Sequence, residues 1–121
     1  MYSDSKDPIN YKVKIQVFKS EKGFGPGIAK IMELVKETGK LSEAYKSMNL
    51  SASKGWKIIK RAEEEFGFPF IISEVGGSGG GKSYLSVEGE DLLKKYNLFV
   101  SELDVEAERI FNTYFNCNKD S

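Results

Sequence analysis

The last third of the chain restricts the possible folds most. Leu92, Tyr96, Phe99, Leu103, Ala107, Ile110 and Tyr114 recur there at spacings of four and three. That is the period of a single apolar seam along a single helix, with Ser86 placed to cap its start and only Gly89 working against it. A helix over residues 87–115 would be about 43 Å long at 1.5 Å per residue, longer than any small domain built from the preceding residues. The pattern leaves open a break near Asn97. Leaving Phe99, Leu103, Ile110, Phe111 and Tyr114 in water would forgo roughly 1.5–3 kcal/mol per large side chain. The economical arrangement is a homodimer sealed by the same helix of a second copy, with Leu92, Tyr96, Phe99, Leu103, Ile110 and Tyr114 as the dimerisation seam.

What precedes the seam has room for one domain. With 121 residues and 40% apolar content, the chain divides into a polar leader (1–10), a domain (11–86), the helix (87–116) and a tail (117–121). No run of about 18 apolar residues is present and the first residues lack a secretory pattern, so a cytoplasmic protein away from membranes is expected. Histidine is absent and Cys117 is the only cysteine, which removes the commonest general base, thiolate metal clusters and an intramolecular disulfide. These residues point away from an enzyme, and no metal or cofactor is expected. Eighteen basic and 18 acidic side chains cancel, but unevenly: Lys54, Lys57, Lys60 and Arg61 stand without an acid between Ser51 and Arg61, directly before Glu63, Glu64 and Glu65.

Within the domain, Tyr11, Val13, Ile15 and Val17 alternate with Lys12, Lys14 and Gln16, the period of a strand with one buried face. After a turn at 22–27, Ile28, Ile31, Met32 and Val35 form a helical stripe flanked by Leu34 and stopped at Gly39. A short helix from Leu41 to Met48 follows, with Ser42 as its cap and Ala44, Tyr45 and Met48 turned inward. Ser51 caps a third helix, whose inner positions are expected at Ala52, Trp56, Ile59 and Phe66, closed by Gly67 and Pro69. Two helices joined by about three residues, the second bearing the bases, have the layout of a helix-turn-helix.

The next segment, PFIISEV, reads as a strand and leads into GGSGGGKS, Gly76 to Ser83, which matches the phosphate-binding pattern G-x-x-x-x-G-K-[ST] letter for letter. A P-loop needs its lysine and serine on the first turn of a helix, whose amides face the phosphate. Here Ser83, Tyr84 and Leu85 look extended, so the glycines are read as the tip of a hairpin, or wing.

The words SASKGWKIIKRAEEEFGFPFI and VGGSGGGKSYLSVEGEDLLKKY, in this order of elements, resemble the N-terminal DNA-binding domain of molybdate-responsive (ModE-type, LysR-like) transcriptional regulators over about residues 11–100. The carrying features are the serine-rich turn, a tryptophan at Trp56 that the family pattern buries, the glycine-rich wing, and an L-[ST]-x-x-G word at Leu85, Ser86 and Gly89. The resemblance implies an α+β, mainly α fold: a winged helix-turn-helix with an N-terminal strand and a long C-terminal dimerisation helix. It implies a homodimer acting on double-stranded DNA as a transcriptional regulator. Only a helix follows Tyr96 where full-length relatives carry a molybdate-binding domain, so it implies no molybdate sensing.

The candidate DNA-binding residues are Ser51, Ser53, Lys54, Lys57, Lys60 and Arg61 on the third helix and Gly79, Gly80, Lys82 and Ser83 in the wing. Lys60 with Glu64 and Arg61 with Glu65 are also spaced as solvated i,i+4 pairs, and the glycine loop serves equally as a plain turn. A winged-helix adaptor that binds proteins and not DNA therefore remains the alternative.

Overall fold

A proline at the first helical position, glycines at helix ends and a glycine-bounded hairpin punctuate the chain into six elements. In the computed structural model, which describes residues 8–21, 23–74 and 81–116, these are α1 (Pro26–Thr38), α2 (Leu41–Ser47), α3 (Ala52–Phe66), β1 (Ile71–Glu74), β2 (Lys82–Leu85) and α4 (Val87–Phe115). The fold is α+β and mainly α, with one two-stranded antiparallel sheet in the register Ile71–Leu85 to Glu74–Lys82. The expected stops hold: Gly39 and Gly67 close α1 and α3 in the left-handed region, at φ of 72° and 89°.

The core lies where α1, the hairpin and the start of α4 converge. Ile28, Ala29, Ile31, Met32 and Val35 of α1 are buried, with Leu34 at the margin as its position on the stripe requires. They meet Ala44 and Tyr45 of α2, Ile59 and Ala62 of α3, and Leu93 and Tyr96 of α4. Phe24 and Phe70 are fully buried, and Phe24 presents ring edges to Phe66, Phe70 and Tyr96 at centroid distances of 6.5, 5.6 and 5.0 Å.

Four sequence expectations are corrected. The alternating segment before α1 is not a strand: among the described residues its only ladder contact is an isolated bridge between Val17 and Phe24. It runs instead toward the far end of α4, with Ile15 O accepting from Tyr96 Oη at 2.8 Å and the Tyr11 ring 4.6 Å from Phe111. Helix α2 begins after Lys40 and not after Ser42; Lys40 makes no side-chain cap, and its amide donates to Thr38 Oγ1.

The buried stripe of α3 is rotated from the one expected. It passes through Gly55, Ile59, Ala62 and Glu63, leaving Ala52 and Trp56 exposed. A Cβ at Gly55 would lie 2.3 Å from Cε1 of Tyr45, so the absence of a side chain is what lets α2 approach α3. Finally, the acids of α3 do not form the i,i+4 pairs. Glu63 pairs with Lys60 at 3.3 Å and accepts from the amides of Phe70 and Ile71, tying α3 to β1. Glu65 accepts from the amides of Lys19, Ser20, Glu21 and Gly23, clamping the loop before α1.

The L-S-x-x-G word is a joint. Ser86 caps α4 by accepting from the amide of Gly89 at 2.9 Å, while its own amide donates to Phe70 O at 2.9 Å. A Cβ on Gly89 would meet that same carbonyl oxygen at 2.4 Å, so the helix start and the turn before β1 pack backbone to backbone. From there α4 runs unbroken for 29 residues, through Asn97. Among the described residues no helix is long and apolar enough to cross a membrane.

Candidate nucleic-acid interface

Serine before a helix is favoured because its hydroxyl satisfies an orphan amide, and Ser51 does this, accepting from the Lys54 amide at 3.1 Å. It fixes where α3 starts and therefore which side chains point out. The connection from α2 turns through Met48, Asn49 and Leu50; Asn49 takes a left-handed φ of 56°, and the Leu50 amide donates back to Tyr45 O.

With Gly55, Ile59 and Ala62 inward, the outward sector of α3 carries Ser53, Lys54, Lys57, Lys60 and Arg61, all exposed, with the exposed acid Glu64 two turns after Lys57 among them. The chain thus brings five of its candidate residues onto one face, with Ser51 at its N-terminal end. Lys60 is the most engaged of them, held at 3.3 Å from Glu63 and 5.9 Å from the Trp56 ring centroid. Arg61 also borders a cavity of about 290 Å³ with Lys14, Ile58 and Pro26, which sets a base from the N-terminal segment beside α3.

The wing candidates divide. Lys82 is exposed at the first position of β2. Ser83 is buried: its hydroxyl lies 3.1 Å from that of Ser73 and its amide donates to Gly39 O, which withdraws it from phosphate contact. Gly79 and Gly80 lie outside the described residues. Because Lys82 and Ser83 belong to a strand and the next helix starts at Val87, the lysine does not stand on a helical first turn as a P-loop requires.

The dimerisation candidates divide in the same way. Tyr96 is buried against its own domain and bonded to Ile15 O, so it is not open to a second chain, and Leu92 is half-buried beside the fully buried Leu93. Phe99, Leu103, Ile110 and Tyr114 are exposed, Tyr114 to 73%, and Val105 and Phe115 join them.

The chain matches no protein-family model and no curated protein.

The exposed apolar residue on α3 that the sequence pattern hid is Trp56, at 56%. Its spacing to Ile59 and Phe66 suited a core stripe, and only the glycine before it signalled that the stripe lay one residue earlier. Ionisation across the molecule follows hydrogen bonding and burial. Four backbone amides, that of Ser20 foremost, hold the Glu65 carboxyl down at about 2, whereas burial pushes the Tyr96 phenol up. Burial, with the Glu63 charge adding to it, also raises the Tyr45 phenol. Among the described residues no three His, Cys, Asp or Glu side chains are grouped to hold a metal.

Proposed function

We propose that the chain is a winged helix-turn-helix protein that binds double-stranded DNA as a homodimer and regulates transcription. The observation that carries this reading is the outward face of α3, where Ser53, Lys54, Lys57, Lys60 and Arg61 are exposed together behind the Ser51 cap. A helix end that begins with small polar residues can approach base edges, and the cations behind it can take flanking phosphates. In this arrangement Ser53 and Lys54 reach the groove floor, and Lys57, Lys60 and Arg61 contact mainly the backbone. The hairpin is the wing, with Lys82 contributing charge at its loop end, opposite Glu74.

The distal part of α4 supports the homodimer. Phe99, Leu103, Ile110 and Tyr114 project from a helix already anchored at its other end, and a second copy would bury them pairwise. A two-fold pair of α3 helices then suits two half-sites a turn of DNA apart.

An adaptor function through the same face is the second reading; zero net charge and the exposed Trp56 and Ile58 favour it. Gel filtration with multi-angle scattering, run with and without random-sequence duplex at low and high salt, separates the two. We expect a dimer that co-elutes with the duplex at low salt and dissociates at high salt. A dimer that never co-elutes would favour the adaptor.

A further inference from the structure

We propose that Trp56 is a DNA-contacting residue, its indole packing on a deoxyribose of the backbone strand that passes between α3 and the hairpin. The proposal rests on the DNA-binding reading above and adds a residue to that interface. A tryptophan left more than half exposed in the middle of a helix contributes little to its own core, although Ile59 three residues on is 4% exposed.

The position of the ring favours a role beside the basic face. Glu63 follows Trp56 by seven residues, two turns of helix, and so lies within about 20° of the same direction. Glu63 accepts from the amides of Phe70 and Ile71, at 2.8 and 3.4 Å, so β1 leaves from this flank of α3. Lys57, at the centre of the exposed basic sector, lies about 100° round from Trp56. The indole therefore stands between the basic face and the hairpin.

Its chemistry matches a sugar and its phosphate. Lys60 Nζ stands over the indole ring, 5.9 Å from its centroid, and is held there by Glu63 Oε1 at 3.3 Å, which places a cation on one side of an apolar plate. The plate suits the apolar face of a deoxyribose, and the cation suits the adjoining phosphate. A protein partner would also accept an exposed tryptophan, but Lys60 and Lys57, about 40° and 100° round the helix from Trp56, favour a polyanion and outnumber Glu64, which lies between them.

Trp56 is the only tryptophan in the chain, so intrinsic fluorescence reports on this side chain alone. The probe is a duplex selected from a random library against the wild-type protein, or random duplex at low salt if selection recovers none. We expect binding to change Trp56 emission and to shield it from acrylamide. Trp56→Ala should lower affinity about tenfold or more, comparable to losing one aromatic stacking contact, while Trp56→Phe retains most of it. The melting temperature of both variants should stay within about 2 °C of wild type, as expected for an exposed site. Duplex binding that leaves Trp56 open to acrylamide, with Trp56→Ala binding as tightly as wild type, overturns the proposal and leaves DNA binding standing. Failure of the wild type to bind any duplex at low salt overturns the DNA-binding reading and this inference together.

Discussion

The two halves of α4 share a helix and a sequence period but differ in their surroundings. In the first half Gly89 touches the Phe70 backbone, Leu93 is fully buried and Tyr96 bonds to Ile15 O. In the second half Leu103, Val105, Ile110 and Tyr114 are exposed, and among the described residues Tyr11 on Phe111 is the ring contact that reaches it from outside the helix. In the proposed homodimer the distal seam is covered by a second copy, whereas the proximal part is fixed by its own chain. Periodicity alone does not separate these two roles, because the spacing that buries a residue in a core also buries it in an interface.

This contrast has consequences of graded size. Leu93→Ala should cost about 2–5 kcal/mol in chemical denaturation, the range for truncating a sealed leucine. If it costs no more than an exposed change, the proximal half is not the core it is taken to be. Gly55→Ala tests the same kind of sealed contact between α2 and α3. We expect about 1–3 kcal/mol of destabilisation from overpacking against Tyr45, and a neutral result would mean that the ring moves aside freely.

In the distal half, Leu103→Glu with Ile110→Glu should leave the far-ultraviolet circular dichroism of a dilute sample unchanged. In analytical ultracentrifugation it should convert dimer to monomer. Loss of helix in the dilute monomer would show that the distal half is held by its own chain after all.

The smallest effect concerns Glu65, which clamps the loop before α1. Its folded-state carboxyl titrates at about 2, below the ordinary value of 4.5, so its stabilising contribution is full above pH 4.5 and is lost as pH falls toward 2. Glu65→Gln should flatten stability against pH in that window and change little at pH 7 beyond a constant offset. An unaltered slope would mean that the clamp is not formed in solution.

Much of the fold was legible in the sequence where local chemistry decides it. The α1 stripe, the Ser51 and Ser86 caps, the stops at Gly39 and Gly67, the strands flanking the glycine loop and the long α4 all follow from spacing and capping residues. What failed depended on partners distant in sequence. Tyr11 to Val17 has the alternation of a strand, but extended residues form a strand only where a ladder partner exists, and α4 took that place. In α3 the inward stripe starts at a glycine, which carries no hydrophobicity, so the pattern settled on Trp56 one residue later. Phe24 lay hidden among turn residues, although it is fully buried, because glycines on both sides obscure any period. Glu65 is spaced like an ordinary solvated acid and Glu63 carries no expected role, yet they anchor a loop and a strand through backbone amides that no spacing rule reveals. Of the candidate site, the basic sector of α3 was legible because it needs only a helical register. Ser83 was not, because its burial depends on Ser73 and Gly39.

The most direct test of a DNA-binding function for the α3 face is the salt dependence of duplex affinity, measured by fluorescence anisotropy for wild type and for Lys57→Ala. We expect log K to fall linearly with log salt, and the substitution to weaken binding to every sequence and reduce the slope by about 0.9 for each phosphate contact removed. Binding that is absent at low salt, or a slope that Lys57→Ala leaves unchanged, would contradict the assignment of this face to DNA.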